Sequence, residues 1–344
     1  MGHQFFYGFE TGEAEERLRK VVTEPDSARP PIHHLVDAIA LPGMPELYDT
    51  TGLRIDEAAV RTLSADAPPI RRQKLHRSEN QVSVPARLKV VEEPVLFCGH
   101  LMKHYGHFVI ESMSRLWARD LHTDLPVLFT RPGKWREPPS YGTDVLAALG
   151  VEARMMAVDE PTIFRQVVCP GTAFEYRWKA FTVADEPHLT VAKNLAGSPT
   201  TDWRRPVYLT RSGLPGDLRK SKEEPELEAE LLQRGFDIVR PETLSLAEQI
   251  SLFDNAPLVV GTVGSAMHTA LFSRSANRKL AILNWGRGFE NCLLVDSVKE
   301  HDSYYLKSMQ RRGDTGEHVL DVARTLQLLT EAGLVDRKTY VGSA

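Results

Sequence analysis

The sequence predicts two α/β domains, each built on a parallel sheet with helical crossovers. Short apolar runs alternate with amphipathic segments from Pro94 onward, the pattern of successive β-α-β units rather than of hairpins. One stretch, Ala256 to Phe272, compresses that pattern. Leu258, Val259 and Val260 read as a buried parallel strand, Gly261 and Gly264 permit a tight turn, and Ser265 can cap a helix carrying Met267, Ala270 and Leu271. At 344 residues the chain is long for one core and comfortable for two, since a domain takes about 100–200 residues.

Taken in order, residues 1 to about 90 mix short apolar runs with proline and charge, and predict irregular structure with a few antiparallel strands. Val95 to Cys98 then reads as a strand, Tyr105 to Asp120 as a long amphipathic helix, and Val127 to Phe129 as the next strand. Thr143 to Leu149 gives a helix stopped by Gly150, and Ile163 to Cys169 a further strand. Ala196-Gly197-Ser198-Pro199 supplies turn formers and marks the expected boundary, with domains over 1–197 and 198–344. Beyond it, Val207 to Thr210 reads as a strand, Glu223 to Arg234 as a helix ended by Gly235, and Phe236 to Val239 as a strand. Ser245-Leu246-Ala247-Glu248 is a capping-box signature that opens a helix with Leu246, Ile250 and Phe253 on one side. Leu280 to Leu283 is the last strand expected, and Glu317 to Ala332 a closing helix.

Hydrophobic residues at 42% and charged residues at 26% match a globular protein and exclude wholesale disorder. A net charge of −4 and a pI near 6.3 argue against nucleic acid as a partner. Cys98, Cys169 and Cys292 are too few and too scattered for a disulfide framework or a zinc cluster, and are expected as buried thiols in a reducing compartment. The first ten residues lack the basic start and long apolar core of a secretory signal. No run reaches the roughly 18 apolar residues that a membrane span requires. The expectation is a cytoplasmic protein without a transmembrane segment, with room for peripheral association with the inner face of the membrane.

Two constellations can carry chemistry. On a helix turning about 100° per residue, His104, His107, Glu111 and Arg115 share one face, opposite Val109, Ile110, Met113, Leu116 and Trp117. The start of that face lies just past a strand end, where ligands bind in such folds. A His and a Glu four residues apart can share a proton, which suits general-base work; the alternative is a solvated face with an ion pair from Glu111 to Arg115. There is no His-Glu-x-x-His and no Asp-x-Asp pair, so no metal is expected. The second constellation is Thr210-Arg211-Ser212-Gly213 at a strand end, followed by Arg219-Lys220-Ser221-Lys222. Arginine so placed holds a diphosphate without a metal, and the N–H groups at Gly264 and Ser265 offer the same to an anion. The alternative is a basic surface loop. His268 reads more readily as a satisfied side chain than as a catalyst, and Trp285 either stacks on a base or packs.

Three segments together resemble the family-61 glycosyltransferases, in particular the bacterial capsular polysaccharide biosynthesis type. They are His104-Tyr105-Gly106-His107-Phe108-Val109-Ile110-Glu111-Ser112 with Arg115-Leu116-Trp117, then Tyr208-Leu209-Thr210-Arg211, then Leu244 to Ile250 running into Val260-Gly261-Thr262-Val263-Gly264-Ser265. The resemblance spans about residues 90 to 285. It implies a GT-B architecture of two Rossmann-like domains facing across a cleft, with inverting, metal-independent transfer from a nucleotide sugar. On that reading residues 1–197 form the acceptor side and 198–344 the nucleotide-sugar side with its closing helix. The partners are a nucleotide sugar, used as substrate rather than cofactor, and a glycan or lipid-linked glycan acceptor. Glu111 or His107 is the base; Arg211, Arg219, Gly264 and Ser265 hold the diphosphate; His104, Arg115, Lys222, His268 and Trp285 are further contacts. Relatives commonly carry a histidine where this chain has Val263, and Asn-Glu where it has Glu223-Glu224. A nucleotide-sugar epimerase of similar form and a non-catalytic sugar-binding subunit are the competing readings.

Overall fold

The computed structural model describes residues 2–60, 79–131, 139–195, 202–215, 221–312 and 317–336. It divides into two compact units, Val22–Leu195 and Met1–Val21 with Ala196–Ala344. Each contains one large sheet of its own.

In the first unit a seven-stranded sheet runs in the order Leu47–Tyr48, Ile32–Ala40, Thr162–Pro170, Val95–His100, Val127–Thr130, Met155–Ala157, with Lys89–Val91 also beside Thr162–Pro170. Ile32–Ala40 is antiparallel to its neighbours, as expected of the early chain, and the strands from Val95 onward pair in parallel. The predicted apolar runs are the buried ones: Val95, Leu96, Phe97, Val127 and Leu128 are shielded from solvent. Cys98 and Cys169 belong to the same strands, and all three thiols are free and buried.

The second unit has a six-stranded sheet, parallel throughout, in the order Gln4–Tyr7, Asp302–Lys307, Lys279–Asn284, Val259–Thr262, Val207–Leu209, Asp237–Val239. Ser245 caps helix Leu246–Asn255 with the full reciprocal box to Glu248. Such a cap stabilises a helix by about 1 kcal/mol.

Three expectations are corrected here. The first 21 residues pack with the later unit rather than inside a 1–197 domain, because Gln4–Tyr7 adds a parallel strand to Asp302–Lys307. Phe5 and Phe6 stack on Tyr304 and Tyr305 at 4.8 and 5.1 Å and hold the strand in place. Leu280–Leu283 is not the last strand, since Asp302–Lys307 continues the sheet. The closing helix begins at Val322, not Glu317: Asp321 caps it by accepting from Arg324 N at 2.8 Å, and Glu317–Leu320 instead pairs with Met309–Arg312.

Asp296, on helix Glu290–Lys299, is fully buried and accepts a hydrogen bond from the Tyr305 hydroxyl. Burial pushes its carboxyl from 3.8 up to about 7, against the opposing effect of that hydrogen bond. The folded chain therefore keeps a proton that the unfolded chain has released, so stability falls as pH rises through this window. Asp296→Asn should melt progressively above the wild type as pH goes from about 4 to about 7, by a few degrees at the upper end. Melting curves whose separation stays constant across that range would contradict this account.

Candidate functional site

In each sheet the strand order reverses once among the parallel strands. In the first unit Val95–His100 has Val127–Thr130 on one side and Thr162–Pro170 on the other. In the second, Val207–Leu209 lies between Asp237–Val239 and Val259–Thr262. Loops leaving adjacent strand ends diverge at such a reversal, and the crevice between them is where open α/β sheets take ligands.

From the first reversal the chain leaves His100 and enters the segment expected as one long helix. It is instead a single α-turn Tyr105–His107, a π segment Phe108–Ser112, and a 3₁₀ helix Leu116–Leu121. The wide turn shows in the bond from Met113 N to Phe108 O at 3.2 Å. Single π-turns mark places where a side chain is held in a specific direction, often at functional sites. Tertiary bonds support this one. Ser112 Oγ donates to His100 O and accepts from Met102 N, each at 2.8 Å, and His188 Nε2 meets Val109 O at 3.0 Å.

This segment brings His107 and Glu111 together, with Nδ1 hydrogen-bonded to Oε2. The Glu111 side chain is 3% exposed and that of His107 31%. The carboxylate is thus sunk behind the ring, which orients the imidazole and leaves Nε2 as the nitrogen for a substrate proton. His104 packs its ring against His107 at 5.1 Å, and Tyr176 covers another side at 5.5 Å. His100 ends the strand that leads to the pair. Burial lowers its pKa to about 4 despite the nearby charge of Glu111, and Thr130 Oγ1, 3.0 Å from its Nδ1, donates in turn to Pro45 O at 2.7 Å. His100 is therefore held neutral.

Arg115 departs from the expected polar stripe. It is 2% exposed, donates to Pro170 O and to Ala59 O at 2.8 Å, and lies over the Phe97 ring at 5.7 Å. The change from π to 3₁₀ winding rotates it away from the His107 face and into the sheet's reversal point, where it closes loose carbonyls. Its donors meet backbone carbonyls rather than the space beside His107.

In the second unit Arg211 follows strand Val207–Leu209, and its guanidinium donates to Val263 O at 3.0 Å beside Gly264. A Cβ added at Gly264 would overlap that guanidinium, so the glycine is what lets the arginine lie across the neighbouring strand end. Buried Glu224 fixes the other side: its Oε1 accepts from Arg211 N and from the Tyr208 hydroxyl, each at 2.9 Å. Val263 contributes its backbone carbonyl, which is present whatever side chain stands there.

The remaining predicted residues divide. Ser265 begins a 3₁₀ helix, Ser265–Phe272, with Gly264 before it and no side-chain cap, so its expected capping role is not taken up. His268 is buried on that helix. Trp285 packs on the hydrophobic core and meets His318 edge-on at 4.4 Å, the packing alternative. Lys222 is exposed, and Arg219 lies outside the described residues. The roles of Glu224, His100 and Tyr176 were missed by sequence reasoning. Only Glu224 left a signal, in the Glu223-Glu224 pair beside the basic loop.

With both strand-end clusters in view, the comparison with protein families is direct: the model of Glycosyltransferase 61 matches residues 105–280, a little over half of the chain. The chain belongs to glycosyltransferase family 61. Among curated proteins none matches it. The matched region of this glycosyltransferase contains His107, Glu111, Arg211 and Gly264. Its substrates are accordingly a sugar donor and an acceptor. Among the described residues no helix is long and apolar enough to cross a membrane.

If Arg115 is structural in this glycosyltransferase, Arg115→Met leaves two buried carbonyls without their donor and should destabilise the Val22–Leu195 unit by about 2–4 kcal/mol. Thermal unfolding should move down by several degrees while nucleotide binding, measured by calorimetry below the transition, stays unchanged. An unshifted melting temperature with lost nucleotide binding would return Arg115 to the ligand contacts.

Proposed function

We propose that this protein transfers a sugar from a nucleotide-sugar donor to a glycan or lipid-linked glycan acceptor, with inversion and without a metal, in surface polysaccharide biosynthesis. The reaction takes place at the cytoplasmic side of the membrane, in the GT-B arrangement that the family resemblance implies. The single observation that carries the reading is the dyad of partly exposed His107 and buried Glu111. Of the two candidate bases, exposure favours the imidazole.

His107 Nε2 removes the acceptor hydroxyl proton as that oxygen bonds to the anomeric carbon from the face opposite the diphosphate. The bond from that carbon to the diphosphate oxygen breaks, and the configuration inverts. Glu111 holds the tautomer and balances the imidazolium that forms. Arg211, anchored by Glu224 and Val263 O, neutralises the leaving diphosphate, joined by the N–H groups at Gly264 and Ser265. Fixed donors of this kind need no reorganisation as negative charge grows, which is what a carboxylate-bound metal supplies elsewhere.

Glu111→Gln should lower turnover by about 10²–10⁴ and His107→Ala by at least as much, both with nucleotide affinity nearly unchanged. Arg211→Ala should cost about 10²–10³ in turnover and weaken nucleotide binding as well. Transfer rates and calorimetric affinities on the same preparations separate the roles. Full transfer by Glu111→Gln and His107→Ala together would remove the dyad from the mechanism.

Transfer should also proceed at an undiminished rate in excess EDTA. Activity lost to the chelator and restored by magnesium or manganese would contradict the metal-free step.

A further inference from the structure

The hairpin that carries Tyr176 onto His107 has a second side. Its strands, Phe174–Glu175 and Lys179–Ala180, are tied to the π segment's neighbour Ser114, whose Oγ accepts from Phe174 N at 2.8 Å. Glu175 and Lys179 line a cleft of about 330 Å³ at the carboxyl end of strand Thr162–Pro170, within the Val22–Leu195 unit. That volume is at the low end of the roughly 300–1,000 Å³ of ligand clefts. Pro30, Pro31, Ala59 and Phe181 supply apolar surface.

Its charges largely satisfy one another. Arg54 pairs with Asp56 at 2.9 Å, and Lys179 stands 3.7 Å from Glu175 Oε1 and 4.4 Å from the Phe181 ring centroid. Glu57 adds a third carboxylate to the two cations, so the cleft does not select an anion such as a diphosphate. Glu175 stands out. Its side chain is 9% exposed, and its Oε2 is buried with no hydrogen-bond partner among the described residues. A buried carboxyl oxygen left without a donor is costly, and a rotation that turns it into the cleft to meet a hydroxyl relieves that cost. Burial also raises the Glu175 carboxyl above its ordinary range, against the charge of Lys179.

We infer that this cleft is an acceptor subsite that holds a neutral sugar residue, with Glu175 and Lys179 on its hydroxyls and the proline and phenylalanine surface against its C–H face. The inference rests on the glycosyl-transfer reading and names where the acceptor is gripped away from the reacting hydroxyl. Glu175 and Tyr176 are adjacent, so the subsite and His107 are reached from one hairpin. An acceptor sugar needs such a grip because the base alone cannot choose among its hydroxyls.

The test is saturation-transfer NMR on the full chain without any donor, titrating glucose, galactose, mannose, N-acetylglucosamine and xylose in turn. At least one sugar should receive saturation, and Glu175→Leu should weaken its binding by about tenfold or more. Lys179→Met serves as the second variant should Glu175→Leu fail to fold, with the same expected loss. Arg211→Ala and Glu111→Gln should leave the signal unchanged. No binding by any of the five sugars, binding indifferent to the folded cleft variants, or binding lost in Arg211→Ala would each overturn the subsite. Sugar binding that depends on Glu175, alongside full transfer by both dyad variants, would instead sink the dyad and leave the subsite standing.

Discussion

Parallel strands cannot be joined by tight turns, and most of what positions chemistry in this chain follows from that constraint. Neighbouring parallel strands must be joined by crossovers, and a parallel sheet that grows in both directions from one strand must reverse once. At the reversal two loops leave in opposite directions and open a crevice. In one unit the reversal lies at Val95–His100 and delivers the segment bearing His107 and Glu111; in the other it lies at Val207–Leu209 and delivers Arg211 beside Gly264.

Beside both reversals an arginine donates to backbone carbonyls. Arg115 donates to Pro170 O and Ala59 O, and Arg211 to Val263 O. Depth separates their fates. Arg115 is enclosed, whereas Arg211 is only partly buried and held through its own backbone by Glu224. A guanidinium presents five donors, so a partly exposed one can hold a carbonyl and still meet an incoming anion. The same contrast of depth sorts the dyad, with the carboxylate inside and the imidazole outside.

Local patterns in the sequence were legible where a single element decides its own form. The Ser245–Glu248 box, the apolar runs at Val95, Val127, Val207 and Val259, and the strand-end placement of Arg211 follow from spacing and capping within a few residues. The misses are of another kind. Gln4–Tyr7 is four residues, chiefly aromatic, whose partner strand lies some 300 residues away, and nothing local names it. The π winding at Phe108–Ser112 is held by Ser112, His100 and His188, so a periodicity of 3.6 read from the segment alone carried Arg115 to the wrong face.

By itself, then, the sequence determined the α/β class, most of the parallel strands and the family, because period, capping and residue chemistry are properties of short segments. Tertiary structure alone decided which unit receives the first 21 residues, which of four aligned polar side chains turn inward, and which buried groups hold the two clusters. Those outcomes depend on partners far apart in the chain, whose hydrogen bonds and burial exist only once the sheets are assembled.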